Sequence, residues 1–189
     1  LPRIEQLGPH PEDKSIQIHS GEVLNYLNSI LEQDALVVTD VGAALLNGHY
    51  LYEQTGARRF FTSQGLGEMG FGLPAAIGAH FADPSKQIVC LNTDGAIMFN
   101  LQELQVVAEH KIAMKLFIFN NSGYSMIRSS QENLFEGRLE GSTIESGISF
   151  PAFEDVAKTF GFNHVNIRNS NDLRLIDSAL ASPHAELIE

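Results

Sequence analysis

Three clusters of polar residues and glycines in this sequence have the residue types that hold a phosphate and a divalent cation. One pairs Asn92-Thr93-Asp94-Gly95 with Asn120-Asn121-Ser122-Gly123-Tyr124. Asp94 offers a carboxylate and Asn121 an amide oxygen, while Gly123 has no side chain to screen its carbonyl. Magnesium takes six oxygens and commonly shares them with the phosphates of a ligand. Gly95 and Ala96 stand where a turn leads toward the helical pattern beyond Asn100, and free backbone N–H groups there suit a phosphate. The second cluster is Gln64-Gly65-Leu66-Gly67-Glu68-Met69-Gly70-Phe71-Gly72, and the third is Thr39-Asp40-Val41-Gly42. Taken singly, each is also a set of ordinary turn formers. The chemistry therefore depends on whether the fold gathers them.

The elements that must gather them are legible as alternating patterns. Strands are expected at Leu36–Thr39, Arg59–Thr62, Gln87–Asn92, Lys115–Phe119, His164–Ile167 and Ala185–Ile188. Helices are expected at Gly21–Gln33, Ala43–Tyr52, Phe71–Phe81, Leu101–Lys111, Tyr124–Phe135, Phe153–Phe160 and Asp172–Ala181. Ser20 ahead of Val23, Leu24, Leu27 and Ile30 reads as a cap before an apolar helical stripe, and Asn171-Asp172 opens the last helix similarly. Ile88-Val89-Cys90-Leu91 and Leu116-Phe117-Ile118-Phe119 are apolar on both faces, as parallel strands covered from both sides must be. The βαβα alternation predicts a doubly wound α/β domain, a mainly parallel six-stranded sheet with helices on both faces. In such sheets ligands sit beyond the carboxyl ends of the strands, which is where all three clusters fall. Residues 136–150 carry three glycines and little periodicity. They read as a long loop of the kind that is often functional, expected to order only over a ligand and a neighbouring domain and to be mobile, at least in part, without them.

Composition narrows the function classes. The 189 residues are 43% hydrophobic and 19% charged, the profile of a soluble globular domain. A net charge of −11 repels phosphate backbones, so nucleic acid is not an expected partner. No apolar run is long enough for a membrane helix, and no membrane partner is expected. The single cysteine, Cys90, precludes an internal disulfide and fits a reducing cytoplasm. The seven histidines form no metal-ligand spacing. Arg58-Arg59 reads as a solvated pair ahead of a strand. Residues 1–19, with Pro2, Pro9 and Pro11, read as a linker from a missing N-terminal region. The remainder, 20–189, reads as one domain whose last strand is cut before it finishes.

Asp94-Gly95 followed by Asn120-Asn121 resembles the thiamine diphosphate motif, which begins Gly-Asp-Gly and ends Asn-Asn. The stretch Gly65-Leu66-Gly67-Glu68-Met69-Gly70-Phe71-Gly72-Leu73-Pro74-Ala75-Ala76-Ile77-Gly78-Ala79 is very similar to the acetolactate synthase family, as is Asn100-Leu101-Gln102-Glu103-Leu104. On these residues the chain resembles the C-terminal, diphosphate- and magnesium-binding domain of thiamine diphosphate-dependent enzymes, from about Ser20 onward.

The resemblance implies a set of roles. Asp94 and Asn121 would bind Mg2+ through side chains and Gly123 through its carbonyl. Thr93, Gly95 and Ala96 would line the diphosphate with backbone groups, and Val41, Gly42, Ala43 and Ala44 would approach it from the first strand end. Met69 would wedge between the cofactor's two rings, a task that suits a flexible, polarizable thioether. Holding that bent shape makes cofactor activation intramolecular, so Met69 is the catalytic candidate of this chain. The Gly67 carbonyl would accept from the 4′-amino group, and Tyr124 and Met126 would border cofactor or substrate. The implied activity is that of a 2-keto acid decarboxylase and carboligase, a transferase or lyase acting on pyruvate in a homodimer or homotetramer. The activating glutamate would lie on the pyrimidine-binding domain of a partner subunit, so this stretch alone would be inactive.

The sequence also departs from the pattern. Thr93 replaces the first glycine of Gly-Asp-Gly, and Ala43 and Ala44 stand where polar residues are usual. Glu68 occupies a small-residue position and is expected at the surface. Ser130 stands where the biosynthetic enzymes have a Trp, which opens the alternative of another acceptor such as a keto-sugar. A second alternative is a dinucleotide-binding oxidoreductase domain, reading Gly65-x-Gly67-x-x-Gly70 as the phosphate turn and Asp94 as the ribose ligand. A third is a non-catalytic homologue.

Overall fold

The computed structural model describes residues 18–189. Along the chain, α1 (Ser20–Ile30), β1 (Leu36–Thr39), α2 (Ala43–Leu51), β2 (Arg59–Thr62), α3 (Gly72–Ala82) and β3 (Ile88–Thr93) come first. They are followed by α4 (Asp94–Ile97), a 3-10 turn at Leu101–Glu103, α5 (Leu104–Glu109), β4 (Lys115–Phe119), α6 (Ser125–Leu134) and α7 (Phe153–Phe160). The chain continues through β5 (Asn163–Val165), a second 3-10 turn at Ser170–Arg174, α8 (Leu175–Ala181) and β6 (Glu186–Ile188). The six strands form one sheet in the order β2-β1-β3-β4-β6-β5, and every pairing is parallel. The doubly wound α/β expectation is met, with an entirely parallel sheet among the described residues.

Period-2 alternation divides each central strand between two cores. Leu36, Val38, Ile88, Cys90, Leu116 and Ile118 face one side, packed with Leu73 and Ala76 of α3, Leu104 and Val107 of α5 and Phe153 and Val156 of α7. Val37, Val89, Leu91 and Phe117 face the other, against Val23, Leu24 and Leu27 of α1, Ala44 and Leu51 of α2 and Ile176 of α8. Both faces are apolar because both are roofed by helices.

Some local expectations give way to tertiary contacts. The cap of α1 is His19, whose Nδ1 accepts from the Gly21 N–H at 3.0 Å, whereas the Ser20 hydroxyl accepts from Asn47 of α2. Most of the expected linker, residues 1–17, lies outside the described residues. Arg58 is 4% exposed and is not a solvated residue. Its Nε donates to the Glu32 carbonyl at 2.8 Å, and its other nitrogens donate to Asn28 and Leu31. It closes the carboxyl end of α1, where helix carbonyls lack partners. Arg59 lies over the Phe61 ring. The final helix opens not at Asn171 but through a capping box between Asn169 and Asp172.

Candidate functional site

Parallel pairing puts the carboxyl ends of β1, β2, β3 and β4 on one edge, so all three sequence clusters converge there. The clearest joint links the ends of β3 and β4. Asp94 is fully buried. Its Oδ2 accepts from the Gly123 N–H at 2.9 Å, and its Oδ1 from the Gly95 N–H at 3.0 Å. Burial pushes its carboxyl above the usual carboxylate range, against the opposing pull of the Gly123, Gly95 and Asn121 N–H groups. Beside it, the Asn121 Oδ1 is buried without a hydrogen-bond partner. A desolvated carboxylate next to an orphaned amide oxygen is a poor arrangement for a closed protein interior. It is a good one for a hard cation that takes oxygen ligands. Among the described residues no group of three or more His, Cys, Asp or Glu could hold a metal. A cation here would therefore share carboxylate, amide and ligand oxygens.

Around this joint lies a cavity of about 240 Å3. Ten of the fourteen expected site residues line it: Val41, Gly42 and Ala43 from the end of β1, Gly67 and Met69 from the glycine loop, Thr93 from β3, and Asn121, Gly123, Tyr124 and Met126 from the end of β4. Gly42 has φ +94°, and an added Cβ would lie 3.3 Å from the Thr93 methyl, so the wall passes closest where only glycine fits. Tyr124 packs over Gly95, leaving no room for a Cβ there, and meets the Phe150 ring edge-on.

Four expected residues stand behind the wall. Asp94 is the buried anchor of the β3–β4 joint. Ala44 is fully buried on the inner face of α2. Gly95 and Ala96 also miss the cavity, because α4 begins at Asp94 and uses their N–H groups. Gly95 donates to Asp94, and Ala96 donates to the Thr93 Oγ1 at 3.3 Å. In this four-residue helix, too short to show a period, both N–H groups meet side chains of its own first turn. Sequence reasoning missed Ser125 and Ile127, which complete the wall at the start of α6. Their signal was their place directly after Tyr124, in the first helical turn beyond a strand end. It also missed Asp40, whose carboxylate meets the glycine loop. Glu68 is exposed as expected. Ser130 is exposed on α6, donates to the Met126 carbonyl and does not line the cavity.

The loop at 136–150 reaches the site and is folded back on it. Thr143 forms an antiparallel bridge with Gly123, and the Tyr124 N–H donates to the Ser142 carbonyl at 3.0 Å. Gln131 of α6 holds the loop through Ser142 and Glu140, and Ser146 closes it on Thr143.

A doubly wound parallel sheet with a carboxylate, an orphaned amide and glycine turns at its carboxyl edge is an α/β domain built to hold a phosphorylated cofactor with a cation. Residues 40–189 match the family model described as thiamine pyrophosphate enzyme, C-terminal TPP binding domain, and the chain belongs to that family. It is 34% identical over 181 residues to an acetolactate synthase large subunit of Cyanidium caldarium, covering 95% of this chain and 30% of that protein. It is 37% identical to an acetolactate synthase of Arthrospira platensis, over 85% of this chain and 26% of the relative. With acetolactate synthase isozyme 1 large subunit of Escherichia coli the identity is 32%, over 82% of this chain and 27% of the relative. The chain thus spans under a third of the length of these relatives. The dinucleotide reading finds no support: Gly70 and Gly72 direct their N–H groups at Asp40, and Asp94 is turned inward to Gly123.

Proposed function

We propose that this chain is the diphosphate- and magnesium-binding part of a thiamine diphosphate-dependent 2-keto acid decarboxylase and carboligase of the acetolactate synthase type. The observation that carries the reading is the Asp94–Gly123 joint with the unpaired Asn121 Oδ1, set in a cavity lined by residues from all three glycine-bearing clusters. Asp94 and Asn121 are the side-chain ligands of Mg2+, with the Gly123 carbonyl as a third. Thr93 and the Val41-Gly42-Ala43 turn flank the diphosphate. Met69 and Gly67 face the cofactor's rings, and Tyr124 and Met126 border the substrate side. Bound thiamine diphosphate supplies the electron sink for decarboxylation of a 2-keto acid. The chain's own residues hold it, fix its shape and exclude water.

The relatives are named acetolactate synthases, which favours pyruvate as the donor. Ser130 lies outside the cavity, so its replacement of a Trp gives no support to a keto-sugar acceptor. Residues 20–189 form the cofactor domain of this reading. The activating glutamate belongs to the pyrimidine-binding domain of a partner subunit, in at least a dimer. Leu66, 88% exposed in the loop that carries Gly67 and Met69, fits such a covering partner. Among the described residues no helix is long and apolar enough to cross a membrane. With the lone buried thiol of Cys90, a cytoplasmic setting is the fitting one.

Calorimetric titration of thiamine diphosphate into the chain with Mg2+ tests the proposal. Saturable, Mg2+-dependent binding is expected, and Asp94→Ala is expected to remove it by depriving the cation of its only anionic protein ligand. Binding that persists in Asp94→Ala, or that ignores Mg2+, would overturn the assignment.

A further inference from the structure

We propose that Asp40 is the positioning residue for Met69: together with Asn100 it clamps the Gly65–Gly72 loop at Gly70 and so fixes where Met69 enters the cavity. The proposal rests on the thiamine diphosphate reading above. Asp40 follows β1 and is 1% exposed. Its carboxylate accepts from the Gly70 N–H at 3.1 Å on both oxygens, from the Gly72 N–H at 2.7 Å and from the Val41 N–H at 2.8 Å. The Gly70 N–H belongs to the same peptide plane as the Met69 carbonyl, so the bond holds the plane directly beside Met69. From the other side, the buried Asn100 amide donates to the Gly70 carbonyl. Both faces of the Gly70 residue are thereby fixed by side chains from the ends of two different elements.

Steric fit reinforces the clamp. A Cβ on Gly70, whose φ is +91°, would come within 2.9 Å of the Phe99 Cβ, and one on Gly72 within 2.9 Å of both the Cβ and the backbone N of Asp40. Upstream the loop is held only by its own turn, with the Leu66 and Gly67 N–H groups donating to the Ser63 carbonyl at 3.2 and 2.7 Å, and nothing lies within 4 Å of the added Cβ at Gly65 or Gly67. Met69 itself is 38% exposed. Its position on the cavity wall therefore depends on the downstream clamp rather than on packing of its own side chain. The opposite wall, Thr93, Asn121 and Gly123, is built from the ends of β3 and β4 and shares no hydrogen bond with the clamp.

That separation gives a readout that a general loss of stability would not produce. Two ligands are titrated into the 189-residue chain with Mg2+: thiamine diphosphate, which needs the glycine loop that carries Met69, and inorganic diphosphate, which needs the β3–β4 wall and the Val41-Gly42-Ala43 turn but not that loop. Asp40→Asn keeps the side chain's shape but turns an amide N–H2 toward N–H donors. It is expected to weaken thiamine diphosphate by about 10- to 100-fold while leaving inorganic diphosphate within about twofold of wild type. Met69→Ala should show the same selectivity, and the double variant should lose little more than either single one. Equal weakening of both ligands, or of neither, overturns the clamp, as does full additivity of the two substitutions. If Asp40→Asn fails to fold, Asn100→Ala takes its place in the comparison: selective weakening of thiamine diphosphate supports the clamp, and equal or no weakening overturns it. Failure of the wild-type chain to bind thiamine diphosphate would refute the cofactor reading itself, a different result from a wild type that binds and a variant that is unaffected.

Discussion

At Gly123 an added methyl group would stand 2.4 Å from the Ser142 carbonyl oxygen, and at Gly95 the same distance from Tyr124 Cε1. The two positions differ in what must yield. At Gly123 the obstacle is backbone of the loop that is bridged to it, so relief requires the bridge to open. At Gly95 it is the edge of a ring that can turn. Gly123→Ala is therefore expected to cost about 1–3 kcal/mol in urea unfolding and to weaken Mg2+-dependent binding, with Gly95→Ala the milder of the two. The reverse order would mean that Tyr124 is the more rigid wall. A second prediction concerns Asp40. Burial raises its carboxyl above the ordinary range, against the pull of the Gly72, Val41 and Gly70 N–H groups. A folded carboxyl with a raised pKa keeps its proton at pH values where the unfolded chain has already lost it. Its contribution to stability is then full in acid and declines as the pH climbs from about 4 through the raised value. The stability of wild type relative to Asp40→Asn should shrink over that rise, measured by thermal melts across a pH series. A difference that widens with pH would contradict the burial argument.

At the scale of elements, the strands were legible from their apolar runs to within a residue or two. Leu36–Thr39, Arg59–Thr62 and Lys115–Phe119 were read with the bounds they have, because each is a short run rich in β-branched or aromatic residues. Boundaries failed where the period is broken or too short to exist. The helix expected at Leu101–Lys111 begins as a 3-10 turn, the last helix does likewise, and α4 went unread. Four residues cannot show a 3.6-residue repeat. The cavity wall was legible through its motifs, whereas Asp40 and Arg58 were not, since neither residue type announces which distant backbone it will meet. Arg58 gives a prediction of its own. It donates to three carbonyls at the carboxyl end of α1. Arg58→Ala should destabilise the domain by about 2–3 kcal/mol, since bonds from a charged donor are worth more than neutral ones. Arg58→Lys should recover only part, because an ammonium cannot reproduce the guanidinium fork. Equal melting temperatures for Arg58→Ala and wild type would show that water replaces the cap without loss.

For the molecule as a whole, the proposed function makes the site half a reaction chamber. The cavity is lined by groups for a diphosphate and a cation, and the carboxylates nearest Met69 are Asp40, buried and engaged by backbone N–H groups, and the exposed Glu68. The chain alone is expected to bind thiamine diphosphate and to leave exchange of the cofactor's C2 proton, followed by NMR, close to its rate in buffer. Acceleration to catalytic rates would show that no partner domain is needed. The order β2-β1-β3-β4-β6-β5 has a consequence for the timing of folding. Val41 and Thr93 come together only through the β1–β3 pairing, and Thr93 and Gly123 only through β3–β4, both of which bridge long stretches of chain. Parallel pairings of this kind close late and slowly. A ligand that needs all of them cannot seed the sheet: it can slow the escape of finished molecules but not hasten the arrival of new ones. In stopped-flow refolding, thiamine diphosphate with Mg2+ should leave the folding limb unchanged and depress the unfolding rate. Protein synthesised where thiamine is scarce would then fold at its usual pace but be lost sooner to proteolysis.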